Sequence, residues 1–285
     1  MRSKQSSLWL LAAIAAPAAH FSGCGWFTVL ITSALLLPLA LMPKEWAFPK
    51  PVAIGQILWL GIVAGALLPA SAACWPSDNA IAVPLTLLTL AALTRSAYAS
   101  RVGAVLALSM GLLALPIVGS GAAHGYAGWL KPTPLSWEPM LALVLLLPAL
   151  PAGGIKKGRD VAAAVLLVVV LAALIQGVLS PAVAGSLADP EYQTARTLGY
   201  LEPVAASALT LGWYAAASWL FAASAEIARN SQMGQRLPYV LLWGTGATVI
   251  LLEMQLSAQF LMVFSGFLWC FAPFFQKLKK VKNRA

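Results

Sequence analysis

The sequence predicts an all-α polytopic membrane protein: about ten transmembrane helices in a five-plus-five inverted repeat, with broken first and sixth helices, forming one membrane domain over 1–285. Three observations predict it. Of 285 residues, 60% are hydrophobic and only 9% are charged, with a mean hydropathy of +0.83; a soluble domain is about 25% charged, and disorder needs low hydrophobicity with high charge. Ten nearly uncharged runs punctuate the chain, and about 20 apolar residues make a spanning helix. Finally, basic residues fall almost entirely on one side once the runs alternate.

The runs are 8–22, 25–42, 52–73, 80–93, 102–120, 140–152, 161–179, 204–225, 237–252 and 254–275. Residues 8–42 carry no formal charge and are too long for one span, so Ser22-Gly23-Cys24-Gly25 is read as a hairpin turn. Residues 237–275 are likewise two spans, with Glu253 marking the turn. In the third run, Gly61 and Gly65 form a GxxxG pattern that permits close helix packing, and the eighth run is dense in Ala and Ser. Both are expected to be packing faces.

With the N-terminus inside and ten crossings, the inner segments hold Arg2, Lys4, Lys44, Lys50, Arg95, Arg101, Lys156, Lys157, Arg159, Arg229, Arg236 and the tail cations Lys277, Lys279, Lys280, Lys282 and Arg284. Only Lys131 and Arg196 fall outside, a 16-to-2 split of the 18 basic residues that obeys the positive-inside rule. Both termini are therefore expected in the cytoplasm, and the location is the cell membrane. The tail is read as an anchor that faces membrane lipid. The net charge of +9 is not read as nucleic-acid binding, because no basic face is interleaved with aromatics. Trp9, Trp26, Trp46, Trp75, Trp129 and Trp137 stand at or near expected helix ends, as headgroup-level anchors do.

Five crossings per half invert one half relative to the other, giving repeats 1–120 and 121–285. In transporters of that plan the first helix of each half is interrupted at the binding site. Here those helices contain Ala16-Pro17-Ala18 and Pro151 followed by Gly153 and Gly154. Proline removes a donor and frees a carbonyl, and in lipid such groups need a partner. These six residues, with the mid-span hydroxyls of Ser207 and Thr210, are the candidate substrate-binding set. The helix-end dipoles there suit a small zwitterionic ligand. A functionally silent proline kink is the alternative.

Chemistry is sparse. No Gly-rich phosphate loop precedes a lysine, and His20 and His124 cannot form a metal cluster, so no cofactor or metal is expected. Gly119-Ser120-Gly121 with His124 lacks a serine-protease pattern, since Val118 stands where a glycine would be needed, and the chain is not expected to be an enzyme. Cys24, Cys74 and Cys270 make no disulfide framework. Arg2, Lys4 and Phe21-Ser22-Gly23-Cys24 have the layout of a lipoprotein signal, but Phe21 and His20 disfavour cleavage, and a retained first helix is expected. Remaining mid-span polar residues, including Thr89, Gln176, Ser218, Thr245 and Thr248, are uncharged, which disfavours a proton relay. Glu226, near the inner end of the eighth run, is expected to pair with Arg229 or to be solvated.

Three stretches are similar to a known family: Leu-Thr-Arg-Ser-Ala-Tyr-Ala-Ser-Arg-Val-Gly at 93–103, Lys156-Lys157-Gly158-Arg159, and Tyr-Gln-Thr-Ala-Arg-Thr-Leu-Gly-Tyr at 192–200 leading into a span with Trp213. In these the chain resembles the spore germination receptor B-subunits of the amino acid–polyamine–organocation transporter superfamily. The resemblance implies ten helices in the inverted arrangement and a germinant, often an amino acid, near the broken helices. It also implies a complex with a larger membrane subunit and a lipoprotein subunit, in the inner membrane if the cell is a spore. Gly153 and Gly154 stand where the family often has an acidic residue, and Val204, Ala205 and Ala206 where it often has a charged pair. The alternative reading is therefore a structural membrane subunit that has lost ligand binding.

Overall fold

A computed structural model describes residues 25–28, 30–31, 48–75, 80–94, 105, 118–122, 125, 158–187 and 190–252. The described elements are all helical: α1 (Lys50–Leu67), running on as a 3₁₀ turn (Leu68–Cys74); α2 (Ala82–Leu93); α3 (Gly158–Leu179); α4 (Pro181–Ser186); α5 (Pro190–Thr197); α6 (Glu202–Asn230); and α7 (Leu237–Leu251). Gly25 has φ +97°, a backbone region that glycine enters without strain; Ser22, Gly23 and Cys24 of the expected hairpin turn lie outside the described residues.

Proline sets most of the starts. Pro51, Pro181, Pro203 and Pro238 stand in the first turns of α1, α4, α6 and α7, where a missing N–H costs nothing and a fixed φ is already helical. Glu202 in the first turn of α6 and Arg229 in the last complement the helix dipole. The same helix closes with Met233 N–H on Ala228 O at 2.9 Å, over Gln232 at φ +54°, the bond of a Schellman end.

Among the described residues two helices are long and apolar enough to cross a membrane: Lys50–Cys74, with 25 residues, and Glu202–Asn230, with 29. At about 1.5 Å per residue both exceed the ~30 Å hydrocarbon core. Helices α2 and α7 are shorter, with 12 and 15 residues. Helix α2 stops where Thr94 leaves helical geometry at ψ 59°.

Helices α1, α2, α6 and α7 share one core, built on Ile57, Leu60, Leu88, Trp213, Trp219, Phe221 and Leu242. The most extensive contact is α1 on α7 and the next is α2 on α6. The GxxxG pattern makes the first of these. A Cβ at Gly61 would lie 2.8 Å from Thr245 Cβ and 2.9 Å from Leu242 O; one at Gly65 would lie 2.6 Å from Val249 Cβ and 2.9 Å from Gly246 O. Only glycine lets the two backbones approach this closely, and any side chain must push them apart. The alanines of α6 serve likewise, with Ala215, Ala216, Ala217 and Ala223 all buried. Phe221 and Tyr239 stack between α6 and α7, with centroids 5.9 Å apart.

The outer face of α7 is apolar except for Thr248, whose hydroxyl donates to Gly244 O. Leu237, Val240, Trp243 and Leu251 are exposed, opposite buried Leu242, Gly246, Ala247 and Ile250. A helix of a water-soluble protein puts polar residues on that face; one that is apolar all round belongs to a protein interior or to lipid.

Candidate functional site

Three hydrogen bonds tie the core helices by one recurring device. Trp75 Nε1 donates to Thr210 Oγ1 at 2.9 Å, and Trp243 Nε1 donates to Thr89 Oγ1 at 3.1 Å. Tyr214 and Thr94 hydroxyls lie 2.6 Å apart. Each threonine also donates its single proton back to the carbonyl four residues earlier: Thr210 to Ala206, Thr89 to Leu85, Thr94 to Leu90. A hydroxyl has one proton, so the aromatic group is the donor in all three, Tyr214 included. In a bilayer such bonds contribute about 0.6 kcal/mol on average and up to about 1.7.

Around the start of α6 a polar cluster gathers. Tyr192 on α5 donates to Glu202 Oε1 at 2.5 Å. This bond, then burial and the neighbouring Glu202 carboxylate, push the Tyr192 phenol above its ordinary value, with Arg196 opposing. Cys74 is buried, and Trp75 next to it reaches α6 at Thr210. The end of the 3₁₀ turn, α5 and the first turns of α6 thus meet. In the predicted topology all three are outer.

A second polar feature lies at the end of α3. Gln176 is fully buried, and among the described residues neither Nε2 nor Oε1 has a hydrogen-bond partner. Burying an unpaired polar group costs about 1–3 kcal/mol. The next residue meets another segment at close range. A Cβ on Gly177 would lie 2.5 Å from Ala122 Cβ, one on Gly125 would strike Gly177 O, and one on Gly121 would lie 2.9 Å from Leu198 Cδ2. Ala122 and Gly125 therefore press close on α3 at Gly177. Just beyond, Ser180 has φ +67° and ψ 153°, a region that is essentially glycine's and costs about 1–3 kcal/mol otherwise.

Of the sequence-derived site set, Ala16, Pro17, Ala18, Pro151, Gly153 and Gly154 lie outside the described residues, as does Cys24. Ser207 and Thr210 stand three residues apart on α6, both half-buried. The proton of Thr210 and one of its lone pairs are used within the protein. Glu226 pairs with Arg229 at 2.6 Å. Sequence reasoning ranked Gln176 only among the polar residues. The available signal was its isolation as the one polar side chain in 161–179.

Compared with known proteins, the sequence matches no family model, and no curated protein is similar to it.

Proposed function

We propose that the chain is a multi-pass membrane protein of transporter type, a germinant-sensing or transporting subunit of a spore germination receptor that takes a small amino acid or similar solute. The observation that carries the reading is the pairing of the core helices. In a five-plus-five repeat the third span corresponds to the eighth and the fourth to the ninth. On this reading helices α1, α2, α6 and α7 correspond to those four spans. Exchanging the halves turns the α1–α7 contact into the α6–α2 contact, and these are the two most extensive helix contacts among the described residues. The apolar outer face of α7 supports lipid around the core. The ten-span count, cytoplasmic termini, inverted halves, and a larger membrane subunit and a lipoprotein as partners belong to the same proposal. Its residue-level basis is the three stretches at 93–103, 156–159 and 192–200.

Topology is tested by single cysteines in a Cys-free chain. Asp78→Cys, Glu138→Cys and Asp189→Cys are expected to react with an impermeant thiol reagent from outside; Lys50→Cys, Arg101→Cys and Lys157→Cys are not. Outside labelling at position 157 would end the ten-span reading. Ligand response is tested by Gly153→Leu with Gly154→Leu, which should abolish the response to amino acids at an unchanged membrane level. The second reading, a structural subunit without a ligand, is favoured by the use of Thr89, Thr94 and Thr210 as helix ties. An unchanged response in the double variant would select it.

A further inference from the structure

We propose that the end of the bundle where α1 and α7 begin seats an anionic phospholipid: Lys50 and Arg236 hold its phosphate, and Val240, Trp243 and Leu93 carry one acyl chain. The inference rests on the membrane part of the reading above and uses neither the germinant nor the count of spans.

Its first support is the place of two cations. A Cβ at Gly61 would meet Leu242 and Thr245, and one at Gly65 would meet Gly246 and Val249. Helices α1 and α7 therefore run parallel and start at the same end. Lys50 opens α1 eleven residues before Gly61, about three turns, and so falls on the face that meets α7. Arg236 is the N-cap of α7. Counted back from the Gly61 contact, the two cations stand within about one turn of each other along the axes. Both are exposed.

The second support is the lack of a local counter-charge. Neither α1 nor α7 has an acidic residue in its first turn, and residues 46–77 and 227–252 contain no Asp or Glu. Arg229, in the last turn of α6 at this end, is already matched by Glu226 at 2.6 Å. Two parallel helix starts add partial positive charge. A guanidinium grips a phosphate with two N–H bonds, and a lysine beside it adds a point charge.

The third support is the apolar strip below these cations. Arg236 stands four residues before Val240 and seven before Trp243, spacings that share one helix face. Val240 is 65% exposed, and Trp243 is exposed too. The bond from Trp243 Nε1 to Thr89 lays its ring along the seam of α7 with α2. Leu93, one turn beyond Thr89, is 72% exposed; α2 returns from α1 through 75–81, so its last turn comes back to this end. Cations above exposed apolar side chains reproduce the order of a phospholipid, with its phosphate at the headgroup level and its chain below. An inorganic anion would leave the strip uncovered, and a zwitterionic lipid would bring a cation of its own towards Lys50 and Arg236. In the predicted topology this end is cytoplasmic, the side on which basic sites between helices bind anionic headgroups.

The experiment uses the full chain, purified in detergent and titrated with dioleoyl-phosphatidylglycerol, dioleoyl-phosphatidylcholine or inorganic phosphate. Bound lipid is counted by native mass spectrometry, and the unfolding temperature is followed in parallel. The glycerol lipid is expected to bind more tightly than the choline lipid and to raise the unfolding temperature; phosphate alone is not. Lys50→Gln and Arg236→Gln are each expected to weaken binding of the glycerol lipid about fivefold, with the lipid-free unfolding temperature unchanged. Arg196→Gln, at the opposite end, should change nothing, and Val240→Asn should weaken both lipids alike. Equal binding of the two lipids overturns the proposal, as does unchanged binding in the double variant Lys50→Gln with Arg236→Gln. A loss in Arg196→Gln as large as in Arg236→Gln means diffuse charge rather than a seat. A phosphate shift equal to that of the glycerol lipid means an anion site without a lipid, and unchanged binding in Val240→Asn removes the acyl strip. Failure of Arg236→Gln to accumulate gives the arginine a structural partner and also overturns the proposal. All these outcomes leave the membrane reading standing. A chain that stays monodisperse without detergent and binds neither lipid removes both.

Discussion

Two glycine-lined contacts in this protein use the same device and leave opposite polar remainders. At Gly61, Gly65 and Gly246, α1 and α7 approach backbone to backbone, and the threonines of that core are all hydrogen-bonded: Thr245 to Leu241 O, Thr248 to Gly244 O, Thr89 to Leu85 O. At Gly121, Gly125 and Gly177 the approach is as close, and Gln176, next to Gly177, is buried with no hydrogen-bond partner among the described residues, four residues before Ser180 at φ +67°. Close packing alone does not force unpaired polar groups on a membrane protein. The first contact shows that hydroxyls can be satisfied within their own helices.

The largest expected effect breaks the first contact. Gly61→Arg puts a long cation where even a Cβ would lie 2.8 Å from Thr245. Insertion scales alone assign about 2.5–3.5 kcal/mol to arginine at a helix centre, and the clash adds to it. The variant should be absent from membranes or elute as aggregate in size-exclusion chromatography. Gly55→Ala on the same helix is the control. Nothing lies within 4 Å of its added Cβ, so the gain of alanine in a helix, about 1 kcal/mol at most, should leave stability equal or slightly raised.

The second contact is sharpened by relieving its strain. Ser180→Gly matches residue to dihedral and should stabilise the chain by about 1 kcal/mol, read as a raised midpoint in thermal unfolding. A neutral or lower midpoint would mean that the serine hydroxyl contributes more than the dihedral costs. Smaller still is the expected effect of Thr210→Val. It leaves Trp75 Nε1 without its acceptor at the same side-chain volume, and the loss should be about 0.6 kcal/mol and no more than about 1.7. Trp75→Phe removes donor and acceptor need together and should cost less than Thr210→Val, since an orphaned donor is worse than a missing pair.

Much of the described fold was legible in the sequence. The runs 52–73, 80–93, 161–179, 204–225 and 237–252 correspond to helices Lys50–Cys74, Ala82–Leu93, Gly158–Leu179, Glu202–Asn230 and Leu237–Leu251. The GxxxG pattern found its use because backbone approach needs only glycine at the right spacing. The longest error, α6 continuing past Ala225 to Asn230, comes from ending a span at the first charge. Glu226 and Arg229 are helix-compatible and pair with each other at i,i+3, so the charges do not end the helix. The aromatic–threonine ties were not legible, because Trp75 and Thr210 are 135 residues apart and only the helix crossings bring them together. Nor was the burial of Gln176, because a lone polar side chain in an apolar run does not show which neighbours enclose it.

The smallest expected effect concerns the element that joins the two regions. Helix α5 packs on both α3 and α6, with Leu198 just beyond it against Gly121 and Tyr192 bonded to Glu202. The bond to Glu202 holds the phenol neutral and its pKa above the ordinary 10.0. In the interval between the unfolded and folded values, the folded chain keeps a proton that the unfolded chain has lost. Stability from this group is therefore fully present below about pH 10 and is lost as pH rises through the folded value. Tyr192 is half-buried at the protein's edge, so solvent screens the bond and the effect is small, and lysines titrate in the same range. The readout is thus a difference: unfolding temperature against pH from about 9 to 11 for wild type and Tyr192→Phe. The two curves should converge as pH rises, because only the wild type has this bond to lose. Parallel curves would show that Tyr192 and Glu202 do not couple α5 to α6. The packing at Gly121 and Gly177 would then be the joint between the two regions.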